Sequence, residues 1–269
     1  MVNNHPLGRK PIMNMAKIGA VLCAASCLAL PGMAQEWYVS GSYNYIDQSD
    51  SDNSGSTGAF TTGNLGDGTT LDVAAGTPYG WNTEFDSGSG FGVELGKRYA
   101  SGLRGGVEIA YSKADVDTHT GVSLGGGSID AVDAAAIAGS PTPLGVTVAD
   151  VVADGRGDIS STSLFANIYY DFNTAGMIQP YLGAGIGMSD VEVKYSPSGI
   201  GVIDDGETKF AYQVKAGVTW ALNPNWDVFG EYAYRATEDI EVDNDLFPGT
   251  LEIENKQNIF SLGARYRFG

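Results

Sequence analysis

The chain has 269 residues, with 32 Asp and Glu against 15 Lys and Arg, and two cysteines, Cys23 and Cys27. A polypeptide this acidic repels nucleic acid and other phosphate-rich surfaces unless cations intervene. Both cysteines fall in a segment that reads as a removable leader, which excludes disulfides, thiolate catalysis and cysteine metal sites from the remainder.

That leader is residues 1–34. Arg9, Lys10 and Lys17 precede an apolar run from Ile18 to Leu30, and Pro31-Gly32-Met33-Ala34 follows. A positive start, a short apolar run and small residues before the cut predict a signal peptide cleaved after Ala34. Met1, Met13 and Met15 all stand as candidate starts. Cleavage removes three basic and no acidic residues, leaving 12 basic against 32 acidic, a net charge of −20. No later segment reaches the ~20 apolar residues of a membrane helix.

From residue 35 onward, period-two alternation recurs, the mark of strands with two unlike faces. Strand one, Trp37 to Tyr45, sets Trp37, Val39, Tyr43 and Tyr45 against Tyr38, Ser40, Ser42 and Asn44. Strand two, ending near Lys97, sets Phe91, Val93 and Leu95 against Gly90, Gly92, Glu94 and Gly96. Strand three alternates Leu103, Val107, Ile109 and Tyr111 with Arg104, Gly106, Glu108 and Ser112; strand four alternates Leu164, Ala166, Ile168, Tyr170 and Phe172 with Ser163, Asn167, Tyr169 and Asp171. Strand five, from Ile178 to about Val193, sets Leu182, Ala184 and Ile186 against Tyr181, Gly183, Gly185 and Gly187. Strand six sets Phe210, Tyr212, Val214, Val218 and Trp220 against Lys209, Gln213, Lys215 and Thr219. Strand seven opposes Trp226, Val228, Tyr232 and Tyr234 to Asp227, Glu231 and Arg235, and strand eight opposes Phe260, Leu262, Ala264, Tyr266 and Phe268 to Ser261, Gly263, Arg265 and Arg267.

The connections alternate in length. Short turns, Tyr99-Ala100-Ser101-Gly102, Asn173-Thr174-Ala175-Gly176 and Asn223-Pro224-Asn225, alternate with long segments at 47–82, 114–158, 195–207 and 238–256. All long connections therefore share one end, as in outer-membrane barrels. The polar face carries charge beside glycines that leave room for it, so it points into a narrow lumen, and the aliphatic face points to lipid. Closure pairs every backbone group inside hydrocarbon. Aromatics near strand ends (Trp37, Trp220, Trp226, Tyr266 and Phe268 on the turn side; Tyr45, Tyr111 and Phe210 on the other) form two interfacial girdles. The fold class expected is all-β: a closed eight-stranded antiparallel transmembrane β-barrel over 35–269, with four long outer loops and three short periplasmic turns.

Three segments in order carry a family resemblance: Pro180-Tyr181-Leu182-Gly183-Ala184-Gly185-Ile186-Gly187, Phe210-Ala211-Tyr212-Gln213, and the ending Phe260-Ser261-Leu262-Gly263-Ala264-Arg265-Tyr266-Arg267-Phe268. Together they resemble the opacity-type outer-membrane β-barrel protein family, over the whole mature chain and most strongly from Ser163 onward. The resemblance implies insertion by the barrel assembly machinery, which reads a final strand ending in an aromatic residue. Gly269 after Phe268 departs from that signal. No peptidoglycan-binding domain is expected after the barrel.

Candidate chemistry is sparse. His119, the one histidine of the mature chain, is expected as a solvated residue of the second long loop beside Thr120, where nothing local suggests a placed nucleophile with an orienting acid. Glu94 and Glu108 should lie opposite or diagonal inside the lumen. Arg104, Lys215, Arg235 and Arg265, with Glu231 diagonal to Lys215, should complete a structural network in which buried charges are paired. Asp50-Ser51-Asp52-Asn53-Ser54-Gly55 copies the start of a calcium loop, but its twelfth position is Thr61 and not the closing Glu. The acidic residues Asp204, Asp205, Glu207, Glu238, Asp239, Glu241, Asp243 and Asp245 read as solvated faces, with divalent-ion bridging to lipopolysaccharide phosphates as a minor role. Asp130 to Ala138 can form a short helix over the mouth. The expected function is that of a non-enzymatic integral outer-membrane protein with a structural or surface-interaction role, its acidic loops exposed. The alternative is a narrow pore for small solutes or ions. Expected partners are outer-membrane lipid, lipopolysaccharide and a surface ligand through the long loops, and not nucleic acid. No cofactor, metal ligand or catalytic residue is expected.

Overall fold

Alternation of apolar with small or polar residues yields fifteen strands in the computed structural model, which describes residues 35–269. The leader expected over residues 1–34 lies outside the described residues. In chain order the strands are β1 (Gln35–Gln48), β2 (Ser51–Thr57), β3 (Phe60–Thr61), β4 (Asp72–Val73), β5 (Pro78–Phe85), β6 (Gly88–Tyr99), β7 (Leu103–Leu124) and β8 (Gly127–Ser128). Two short helices follow, α1 (Ala135–Ala138) and α2 (Val148–Val152), then β9 (Gly157–Asp171), β10 (Ile178–Tyr195), β11 (Ile203–Ala221), β12 (Trp226–Thr237), β13 (Ile240–Asp243), β14 (Gly249–Ile253) and β15 (Lys256–Phe268).

Eight of these make a ring of antiparallel neighbours. β1 pairs with β6, β6 with β7, β7 with β9 and β9 with β10. The ring continues through β11 and β12 to β15, which returns to β1. Short turns join β6–β7, β9–β10 and β11–β12. At the first, Gly102 N donates to Tyr99 O at 3.0 Å with Gly102 at φ 86°, a backbone region that glycine enters without steric penalty.

The ring strands run further than alternation alone indicates. β7 has 22 residues and β10 has 18, where about 9–11 suffice to cross a bilayer. The segments expected as long loops carry further strands. β13, β14, β2 and β5 pair in that order and continue onto the outer half of β7. The calcium-like stretch runs as β2 from Ser51, its side chains alternating across the strand. Among the described residues no cluster of His, Cys, Asp and Glu is placed to hold a metal ion. The helix expected over 130–138 is helical only at Ala135–Ala138.

Along β10 the two faces exchange character at one level. Tyr181, Gly185, Gly187 and Ser189 face inward and are followed by Val191, Val193 and Tyr195, all three buried. On the outward face Leu182, Ala184 and Ile186 are exposed aliphatics, followed by Glu192 and Lys194. β7 repeats the exchange, with exposed Ile109 giving way to Lys113 and Asp115 outside, while Glu108 and Ser112 give way to Ala114 and Val116 inside. The lower ring is thus built for an apolar surround and the upper ring for water. The upper interior is a hydrophobic core that includes Val116, Ile159, Val191, Ile203, Ile240, Leu251 and Ile253. Each such side chain contributes roughly 1.5–3 kcal/mol when fully buried.

Candidate functional site

The strand phases bring most of the sequence-predicted charges into the lower lumen, where two clusters form. In the upper one, Glu94 and Glu108 are register partners across β6 and β7, and both are buried. Glu94 accepts from Tyr38 Oη, Tyr169 Oη and Asn167 Nδ2, each at 2.6 Å, with Arg104 Nη1 at 3.9 Å. Glu108 receives Lys215 Nζ at 2.8 Å, Asn167 Nδ2 at 2.7 Å, Gln213 Nε2 at 2.9 Å and Arg235 Nη2 at 3.4 Å. Lys215 also reaches Glu231 at 3.1 Å, diagonally across β11 and β12, and Glu231 accepts from Tyr181 Oη at 2.8 Å.

Nearer the turns, Arg104 and Arg98 converge on Asp171 at 3.2 and 3.3 Å. The Arg104 guanidinium stacks 4.0 Å from the Tyr169 ring, a favourable cation–π arrangement. Arg265 borders the same part of the lumen as Glu94 but forms its ion pair elsewhere. Its Nη1 lies 3.8 Å from Asp227 and 3.4 Å from Thr219 Oγ1, and Arg267 reaches the same Asp227 at 3.1 Å. Partner choice across a lumen depends on how far neighbouring strands are staggered, which alternation does not encode.

Sequence reasoning gave no role to Arg98, Asp171, Asp227, Gln213, Asn167 or the three lumen tyrosines. Alternation had put the tyrosines on the polar face; their ability to reach across the lumen was the missing part. Glycines make that reach fit. A Cβ at Gly183 would sit 2.3 Å from the Tyr169 ring, and one at Gly106 would sit 2.8 Å from the Glu94 side chain. A void of about 20 Å³ remains among Ser40, Glu94, Glu108, Lys215 and Arg265, on the scale of one water molecule.

The second site lies in the upper interior. A cavity of about 200 Å³ is walled by Phe60, Leu71, Trp81, His119, Ile137 and Phe247, among others. Phe60 and Phe247 stack at 4.7 Å, and Tyr79 meets Phe247 edge-on at 5.1 Å. His119 is not the solvated loop residue that its sequence context suggests. It is 3% exposed and belongs to β7. The ladder between β5 and β7 pairs Phe85 with Val116 and Glu84 with Thr118, so Asp117 is the extra residue of a bulge. Such a bulge reverses which side chains point inward beyond it. Val116 is inward below it and His119, not Thr118, above it. Gly155 packs so closely on the bulge that a Cβ would lie 1.8 Å from Asp117 O.

His119 Nδ1 lies 2.8 Å from Thr83 Oγ1, which accepts from Asn53 Nδ2 at 2.7 Å. Its Nε2 and the Trp81 Nε1 are buried with no hydrogen-bond partner. Burial pushes the imidazole pKa down to about 4, against a small opposing pull from Asp154, so the ring is neutral at pH 7. A Thr–His contact in which the base is this weak and has no orienting acid lacks the parts of an activated nucleophile.

A family model described as the outer membrane protein beta-barrel domain matches residues 20–268. Outer membrane protein PagN of Salmonella typhimurium is 23% identical over 137 residues, covering 44% of this chain and 57% of that protein. The chain thus spans little more than half the length of that curated relative. Among solved structures, Neisserial surface protein A aligns at 17% identity with a TM-score of 0.43, covering 87% of this chain and 99% of its own. OprG from Pseudomonas aeruginosa aligns at 14% identity with a TM-score of 0.48, covering 88% and 97%. Both are likenesses of fold alone.

Proposed function

The chain belongs to the outer membrane protein β-barrel domain family, and on that footing we propose that it is a non-enzymatic surface protein whose closed eight-stranded barrel holds an acidic, β-structured head outside the cell. The observation that carries this reading is the level at which both faces exchange character on β7 and β10. Below it, exposed Leu182, Ile186 and Ile109 meet lipid; above it, Glu192, Lys194, Asp115 and Asp117 meet water. Only a ring that leaves hydrocarbon part-way along its strands gains from that exchange.

The head projects all four long connections from one end and leaves the three turns at the other, which supports an outward head and periplasmic turns. The paired charges across the lower lumen support a structural barrel over a narrow pore, since eight strands leave an interior that side chains can fill. Partners suited to this head are outer-membrane lipid, lipopolysaccharide and a surface ligand. The test is thiol labelling of intact cells with a membrane-impermeant maleimide. Ser198→Cys in the head should label and Ser101→Cys in the β6–β7 turn should not; the reverse pattern overturns the orientation. A single-channel record from the reconstituted barrel should show no steady conductance, and a stable open level would favour the pore.

A further inference from the structure

We propose that the cavity in the upper barrel is a binding site for a small hydrocarbon of one or two rings, held by apolar contact and without a hydrogen bond. This goes beyond the surface role, and it rests on the folded head alone. The space amounts to about 200 Å³, and an apolar cavity of roughly 150 Å³ holds a benzene ring. Phe60, Tyr79, Trp81 and Phe247 supply aromatic wall, and Leu71 and Ile137 supply aliphatic ends. Carbon that borders a void has no partner atoms on that side, and a ligand of carbon and hydrogen restores those dispersion contacts. Rings suit the aromatic part of the wall by offset and edge-on contact.

The wall gives a polar ligand nothing to bind, because the atoms that face the cavity are almost all carbon. Trp81 Nε1, His119 Nε2 and the hydroxyls of Tyr79 and Tyr195 belong to lining residues, but each of these atoms is enclosed by protein and does not reach the space. Thr62 Oγ1 donates to Gly63 O at 2.9 Å and accepts from Leu71 N, and Ser123 Oγ donates to Gly80 O at 3.3 Å. Asn244 Oδ1 accepts from Leu246 N at 2.8 Å. A hydroxyl, carbonyl or amine carried into the cavity would lose its water and gain no hydrogen bond. Charge fares worse. None of the described lining residues is Asp, Glu, Lys or Arg, and burial keeps His119 neutral, so an ion of either sign would be buried unpaired.

Position decides between a dissolved hydrocarbon and a lipid tail. His119 and Tyr195 line the cavity, and both lie beyond the level at which β7 and β10 exchange faces. Lys113 and Asp115 on β7, with Glu192 and Lys194 on β10, follow lipid-facing Ile109 and Ile186 along those strands and precede the cavity residues. An acyl chain of the surrounding membrane would have to pass that charged belt to enter. The occupant is a free molecule taken from the water side, and removal of its apolar surface from water drives it in.

The experiment follows the indole N–H signals of the full barrel, with isotope-labelled tryptophan, in lipid nanodiscs by nuclear magnetic resonance. Trp81 lines the cavity, while Trp37, Trp220 and Trp226 are exposed on the outer face of the ring and report partition into lipid. Indane should shift the Trp81 signal saturably, with no matching saturable change at the other three. At equal free concentration 1-indanol should bind at least about fivefold more weakly. Indane-2-carboxylate and 2-aminoindane, both ionised at neutral pH, should not bind. Ala136→Leu, which adds bulk to a buried lining residue, should abolish the indane shift; if it fails to fold, Val122→Phe serves the same purpose. The proposal is overturned if indane moves only the three outer tryptophans, if the alcohol or either ion binds as tightly, if a filled cavity leaves affinity unchanged, or if native mass spectrometry finds a phospholipid held there.

Discussion

Glu94 and Glu108 face each other as register partners on β6 and β7, and one side-chain nitrogen, Asn167 Nδ2, donates to both at 2.6 and 2.7 Å. Like charges opposite one another in a sheet repel. Here the pair is split between two sets of cations. Arg104 stands by Glu94, while Lys215 and Arg235 stand by Glu108. The lumen is therefore held together by contacts that cross it, and removing one member leaves a buried charge without compensation.

Lys215 is the most exacting test, because it serves both Glu108 and Glu231. Lys215→Met should destabilise the refolded barrel by about 3–5 kcal/mol in urea titrations with lipid vesicles. Adding Glu108→Gln should recover part of that loss. Strict additivity in the double-mutant cycle would show that the two do not interact.

Arg265 should behave differently from Arg235. Its charge partner is Asp227, which it shares with Arg267, and not Glu94. In double-mutant cycles, Arg265→Ala should couple to Asp227→Asn by about 0.5–3 kcal/mol and should be close to additive with Glu94→Gln. Equal coupling to both would mean that the lumen charges act as one delocalised field.

His119 makes the head sensitive to acid. Its pKa is about 4 in the folded protein against an ordinary imidazole value of 6.5, so between those values the unfolded chain binds more protons. The head's stability is therefore full above pH 6.5 and falls as pH drops toward 4, by up to about 3 kcal/mol. Amide exchange across Val116–Thr120 should quicken at pH 5 relative to pH 7 after correction for intrinsic rates. His119→Gln should flatten that difference, and an unchanged pH profile in the variant would assign it to the carboxylates.

Gly155 supports the bulge from outside. It sits at φ 55° with Asp117 O where a Cβ would be, so Gly155→Val must move β7 or the loop before β9. Limited proteolysis should open the head between residues 139 and 147, while the heat-dependent gel shift of the barrel stays as in the parent. Loss of the gel shift as well would mean that head and barrel fold as one unit.

The eight ring strands, the short turns and the inward placement of Glu94, Glu108, Lys215, Glu231 and Arg235 were legible in the sequence, because a side-chain period of two is local and needs no knowledge of the neighbour. The ring strands' lipid-facing set was legible for the same reason. The tertiary structure decided three things. It chose charge partners, sending Arg265 to Asp227, because reach across a lumen depends on strand stagger. It built additional sheet within the expected loops, because the polar residues of β2 and β5 alternate weakly and their pairing joins Ser54 to Gly80 and to Glu252, far along the chain. It also brought His119 inside, because one extra residue at Asp117 inverts the phase of the residues after it, up to the next register shift before Ser123, and alternation within one strand does not show where its partner skips a residue.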